Sequence, residues 1–180
     1  MTLMARDKRK DLVDLLKRCQ SILGEVWECG VFRGGSAAIM SRHTKKVMRL
    51  FDSWEGLPEP TKEDNAHKKG HFSNVDFNAV RARFKGLPNV HLHKGWIPEV
   101  FEGLEKSRIS FAHVDLDLYL PYLRTMEFIY PRLSEGGIMV FNDYGVPSCK
   151  GATQAVDEFF EGKEEISARG RTRYILKKPS

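Results

Sequence analysis

The chain has 180 residues and a mass of 20.6 kDa, room for one domain with a true hydrophobic core and too little for two. Hydrophobic residues at 41% and charged residues at 29% exclude a disordered chain. The formal charge of +5 is scattered over Lys8-Arg9-Lys10, Lys45-Lys46, Lys68-Lys69 and Arg171 to Lys178, which is the pattern of solvated faces and argues against nucleic acid as a partner.

In chain order, Leu12, Val13, Leu15, Leu16 and Cys19 recur at helical spacing and predict an amphipathic helix from about Asp7 to Ile22, with residues 1–23 acting as an N-terminal cover. No signal-peptide core precedes it, and no apolar run reaches the roughly 18 to 20 residues of a membrane span, so a cytoplasmic protein without a membrane partner is expected. Glu25 to Cys29, Val47 to Phe51, Val90 to His93, Ile109 to Val114 and Ile138 to Phe141 then read as strands, with helices at about 35–43, 76–86, 97–105, 120–134 and 151–161. Continuously apolar strands separated by helices point to a parallel sheet buried on both faces, a doubly wound α/β fold. Glu165 to Ala168 and Thr172 to Lys177, joined by Arg169-Gly170-Arg171, predict a C-terminal antiparallel hairpin. Residues 53–75, with Gly56, Pro58, Pro60 and Gly70 and little periodicity, read as a lid loop. No repeat, low-complexity tract or linker interrupts residues 1–180, which read as one unit. Cys19, Cys29 and Cys149 lack any Cys-x-x-Cys spacing and suggest neither a disulfide framework nor a zinc site.

Two groups of residues carry chemistry. The first, Glu28-Cys29-Gly30-Val31-Phe32-Arg33-Gly34-Gly35-Ser36, runs off the first strand into a helix, with glycines where the backbone turns tightly and approaches a ligand. Its spacing departs from the Gly-x-Gly-x-x-Gly dinucleotide fingerprint, which argues against a nicotinamide dehydrogenase. Glu28 would repel a pyrophosphate and suits an ammonium group, as S-adenosylmethionine presents, and Asp52 at the end of the second strand suits ribose hydroxyls.

The second group ends the fourth and fifth strands: His113-Val114-Asp115-Leu116-Asp117 and Phe141-Asn142-Asp143. Neighbouring strand ends bring Asp115, Asn142 and Asp143 together as oxygen ligands for one hard divalent cation, magnesium first. Such a cation would lower the pKa of one of two adjacent substrate hydroxyls, leaving Asp117 to take the proton. His113 reads as a core histidine, and His67 and His71 on the lid as substrate contacts at most.

At these motifs the sequence resembles the macrocin O-methyltransferase family, metal-dependent enzymes that use S-adenosylmethionine to methylate sugar hydroxyls in antibiotic and related glycoside pathways. The resemblance covers nearly the whole chain. Besides the glycine turn it is carried by Phe51-Asp52-Ser53-Trp54-Glu55-Gly56-Leu57-Pro58-Glu59-Pro60, Gly95-Trp96-Ile97-Pro98, His113 to Tyr119, Tyr130-Pro131-Arg132-Leu133, and Asp143-Tyr144-Gly145 followed by Ala155-Val156-Asp157-Glu158-Phe159. It implies a Rossmann-like methyltransferase fold with a mostly parallel seven-stranded sheet. It implies Asp117 as general base, Asp115, Asn142 and Asp143 as metal ligands, and Glu28, Gly30, Gly34, Gly35, Ser36, Asp52, Ser53 and Asp115 as the cofactor site. The acceptor it implies is a small molecule, a vicinal diol on a sugar or other glycosidic natural product. Two departures stand out: Asn142 where the family carries Asp, which implies a metal held less tightly, and a shorter front end, in a region that contributes to the family's substrate pocket and oligomer contacts, which implies a more open acceptor site and leaves a homo-oligomer open. A metal-independent methyltransferase of another small acceptor, and a non-catalytic binding protein on the same fold, are the competing readings.

Overall fold

The computed structural model describes residues 4–179; residues 1–3 of the expected N-terminal cover, and Ser180, lie outside the described residues. Strands β1 (Glu25–Cys29), β2 (Met48–Asp52), β3 (Val90–Lys94), β4 (Ile109–Val114) and β5 (Leu133–Phe141) are parallel, and β6 (Ser167–Arg169) and β7 (Thr172–Leu176) add an antiparallel hairpin. The sheet order is β3-β2-β1-β4-β5-β7-β6. This is the doubly wound, mostly parallel seven-stranded architecture expected from the alternating apolar pattern.

Side-chain alternation along each strand decides which core a residue enters. Val26, Leu50, Phe111 and Val140 pack under α1 (Arg6–Arg18), α2 (Gly35–Met40) and α3 (Phe77–Arg83), while Trp27, Phe51, Ala112 and Phe141 pack under α4 (Tyr119–Arg132) and α5 (Lys150–Phe160). Leu12, Leu15 and Leu16, at positions i, i+3 and i+4 on one helix face, are fully buried and seat α1 on the sheet. Burying side chains of this size contributes on the order of 1.5–3 kcal/mol each, far more than the exposed ion pairs of Arg169 with Asp11 (3.1 Å) and Asp14 (2.6 Å) that tie α1 to the hairpin. Among the described residues no helix is long and apolar enough to cross a membrane.

Several elements depart from the expected bounds: α1 ends at Arg18 and α2 at Met40, short of the expected 22 and 43, β6 runs Ser167–Arg169 in place of 165–168, and three further departures have a clear local cause. The helix expected at 97–105 is a single 3-10 turn, Glu99–Phe101, because Pro98 lacks a donor and Gly103 takes φ 79°, leaving too few residues for a second turn. β5 starts at Leu133, five positions before the expected Ile138, since Leu133 pairs with Ile109 and the Gly136-Gly137 stretch is absorbed as a register shift. The third helix ends at Arg83, short of the expected 86, where Phe84 caps it and the chain turns at Gly86 with φ 86°.

Candidate active site

Going outward from β1, strand order runs one way through β2 and β3 and the other way through β4 and β5, and at such a reversal the loops after β1 and β4 part to leave a crevice. A cleft of about 590 Å³ opens there, lined by the glycine turn, the ends of β2, β4 and β5, the lid and the start of α1. Gly30, at φ 87°, crosses the end of β4 so closely that a Cβ would overlap the Asp115 carbonyl oxygen. Only glycine satisfies both the left-handed backbone and the contact.

Asp52 holds the turn together. Its Oδ2 accepts from the Val31 and Phe32 N–H groups, both at 2.8 Å, and its Oδ1 accepts from Trp54 N–H at 2.7 Å. The carboxylate lines the cleft while organising three amides, and Oδ1, which takes one of these bonds, keeps a lone pair free to accept another. Gly35, Ser36 and Ser53 line the same wall, and Gly34 caps α2 in the left-handed region at φ 71°.

Glu28 is placed differently from the other residues of the turn. It is fully buried on the α1 face of the sheet, opposite His113 in the β1–β4 register, with Oε1 2.9 Å from His113 Nδ1, and it does not reach the cleft wall. Period-two alternation requires this, since Trp27 and Cys29 occupy the other face. His113 is thus the buried core histidine that its strand position implies.

Asp115, Asn142 and Asp143 converge. Asn142 Nδ2 donates to Asp115 Oδ1 at 2.8 Å and lies 3.3 Å from Asp143 Oδ1. Asp143 Oδ2 accepts from Leu116 N–H (3.0 Å), Asp117 N–H (2.9 Å) and the Tyr122 hydroxyl (3.0 Å), which shapes the loop after β4. Burial, then the charges of Asp143 and Asp117, pushes the Asp115 carboxyl well above the usual carboxylate range. Two carboxylates aimed at one point, with only a neutral amide between them, form a donor set that fits a hard cation; turning the Asn142 amide over would add a third oxygen.

Asp117 sits beside this set in the left-handed region at φ 61°. Burial first, and Asp143 second, push its pKa up to about 7, with a Cys149 hydrogen bond opposing. Its Oδ1 lies 3.6 Å from His67 Nε2 and 3.5 Å from Cys149 Sγ, and those two atoms are 3.4 Å apart. Burial raises the Cys149 thiol to about 12.

The 53–75 loop, expected as a lid, is fastened at its middle. Asp64 accepts from Tyr119 N–H at the start of α4 (2.9 Å), and Asn65 bonds the Pro147 carbonyl (3.0 Å) and Lys150 N–H (3.4 Å) at the start of α5. Past this anchor, Phe72 reaches the cleft, 40% exposed and edge-on to Phe32.

The sequence alone assigned no site role to Trp96, Phe72, Tyr122 or Cys149. Trp96 had a usable signal, a large aromatic following Gly95 just past β3 at the same sheet edge as Asp52. Tyr122 and Cys149 had none, because their partners are set by the path of loops between distant segments.

The family model for macrocin-O-methyltransferase (TylF) matches residues 1–168. The 8-demethyl-8-(2,3-dimethoxy-alpha-L-rhamnosyl)-tetracenomycin-C 4'-O-methyltransferase of Streptomyces olivaceus is 32% identical over a match covering 72% of this chain and 56% of that protein. The mycinamicin III 3''-O-methyltransferase of Micromonospora griseorubida is 29% identical, with 76% of this chain and 60% of that protein covered. The chain thus spans a little over half the length of these relatives. The solved structure of the O-methyltransferase NovP aligns with a TM-score of 0.85 at 21% identity, covering 99% of this chain and 82% of that one, a likeness of fold. With the family model matched along nearly its whole length, the chain belongs to the macrocin-O-methyltransferase (TylF) family.

Proposed function

We propose that the chain is an S-adenosylmethionine-dependent O-methyltransferase that methylates one hydroxyl of a vicinal diol on a sugar or glycosidic natural product, assisted by Mg2+. The observation that carries this reading is the placement of Asp117 beside the converging Asp115, Asn142 and Asp143, on the floor of a cleft walled by the Gly30 turn. Family membership and relatives named as O-methyltransferases of glycosylated compounds support it.

Gly30, Gly34, Gly35 and Ser36, with Asp52, Ser53 and Asp115, would hold the cofactor, and Asp115, Asn142 and Asp143 the metal. When bound, S-adenosylmethionine supplies the sulfonium methyl group that passes to the acceptor oxygen, and Mg2+ supplies positive charge that favours the acceptor oxyanion. Asp117 takes the hydroxyl proton; its raised pKa makes it a competent acceptor near neutral pH. Asp143 orients Asp117 through the backbone N–H it binds. The lid excludes water and sets the approach of the acceptor, so positioning in line with the methyl group supplies much of the rate.

Incubation with labelled S-adenosylmethionine, Mg2+ and a panel of rhamnosides and other glycosides, read by mass spectrometry, tests the reading. The expected result is gain of one methyl group on one acceptor class. Calorimetry that finds no S-adenosylmethionine binding would overturn it. A metal-independent methyl transfer is favoured by one observation, the Asn142 amide lying between the carboxylates; full activity in excess EDTA would establish that version.

A further inference from the structure

We propose that His67, Asp117 and Cys149 form a second metal-binding set, selective for a borderline-soft divalent cation such as Zn2+, and that a cation bound there pins the lid onto Asp117. The three side chains come from the lid, the loop after β4 and the loop before α5, and their ligand atoms form a nearly equilateral triangle. Cys149 Sγ to His67 Nε2 is 3.4 Å, Cys149 Sγ to Asp117 Oδ1 is 3.5 Å, and His67 Nε2 to Asp117 Oδ1 is 3.6 Å.

A tetrahedral zinc ion with bonds of about 2.0–2.3 Å requires ligand atoms roughly 3.3–3.6 Å apart, so the triangle is one face of such a site, with a fourth position open. Donor chemistry separates it from the neighbouring set. Asp115, Asn142 and Asp143 offer oxygen alone, whereas thiolate and imidazole discriminate against Mg2+ and favour Zn2+ or Co2+. The geometry is also held in advance. Cys149 is almost fully buried, Asp117 is fixed through its N–H to Asp143, and His67 lies two positions past the Asp64 and Asn65 anchor.

Binding replaces the Cys149 S–H bond with a sulfur–metal bond and releases that proton to water. The effect on turnover rests on Asp117 being the base: an oxygen bound to the cation no longer accepts the acceptor's proton. The binding itself does not depend on that reading.

Chelator-treated protein titrated with Co2+ is expected to develop a near-ultraviolet thiolate-to-cobalt charge-transfer band that a large excess of Mg2+ leaves in place. Cys149→Ser should abolish the band, since Cys19 and Cys29 are buried elsewhere in the core. His67→Ala should keep the band and weaken Co2+ affinity tenfold or more. With Mg2+ saturating, Zn2+ should inhibit methyl transfer in step with filling of the site. Absence of the band in the unmodified protein, or its persistence in Cys149→Ser, overturns the set. Should Cys149→Ser not fold, unchanged Co2+ affinity in His67→Ala overturns it alone. A band with undiminished methyl transfer keeps the site and overturns the pinning of the base, a failure distinct from the loss of all methyl transfer that would sink the proposed function.

Discussion

The carboxamide nitrogen of Asn142 donates to Asp115 Oδ1 at 2.8 Å and so sets a neutral group where two carboxylates converge. Asn142→Asp would replace that donor with a third carboxylate. Mg2+ affinity is expected to rise by about tenfold or more by calorimetry, while the metal-free protein melts at a lower temperature from like-charge repulsion. An unchanged Mg2+ affinity would remove residue 142 from the donor set.

Asp117→Asn keeps the shape and tolerates the left-handed backbone but removes the proton acceptor. Turnover should fall by about 10²–10⁴ with S-adenosylmethionine affinity near that of the unmodified protein, measured by single-turnover rates and calorimetry. Retained turnover would move the base elsewhere.

The same residue makes metal-free stability depend on pH. The Asp117 pKa is about 7 in the folded protein, above its ordinary 3.8, so the folded state binds the extra proton between those values. Its contribution is present in full below about pH 4 and is lost as pH rises through about 7. Asp117→Asn should therefore gain melting temperature over the unmodified protein at about pH 8 and gain less at about pH 5. Equal gains at both values would place the Asp117 pKa outside that window.

Gly30→Ala tests the crossing of β1 and β4. A methyl group there meets the Asp115 backbone in a backbone conformation that disfavours any side chain. Loss of S-adenosylmethionine affinity by more than about tenfold, or failure to fold, is expected, since strain of this kind costs on the order of 1–3 kcal/mol before the clash is counted. Wild-type affinity in a folded Gly30→Ala protein would show that the loop end is free to move.

The parallel strands and the buried stripe of α1 were legible because periodicity is local: Leu12, Leu15 and Leu16 announce a face without reference to anything else. The convergence of Asp115, Asn142 and Asp143 was legible too, since neighbouring parallel strands end at a common edge. Glu28 shows where such reading stops. Its closeness in sequence to Gly30 suggested a cofactor contact, but its facing is set by strand alternation and its partner by the β1–β4 register, which pairs residues 85 positions apart. His67 and Cys149 were separated by 82 positions and read as unrelated, because it is the Asp64 and Asn65 anchor that folds the 53–75 loop back toward α5.

The latch between α1 and the C-terminal hairpin sets an order of events during synthesis. Asp11 leaves the ribosome 158 positions before Arg169, and the seat for Leu12, Leu15 and Leu16 includes Ile138 and Val140 of β5. The apolar stripe of α1 therefore waits in solvent until β5 has been made, a stretch of synthesis over which a nascent-chain chaperone would hold it.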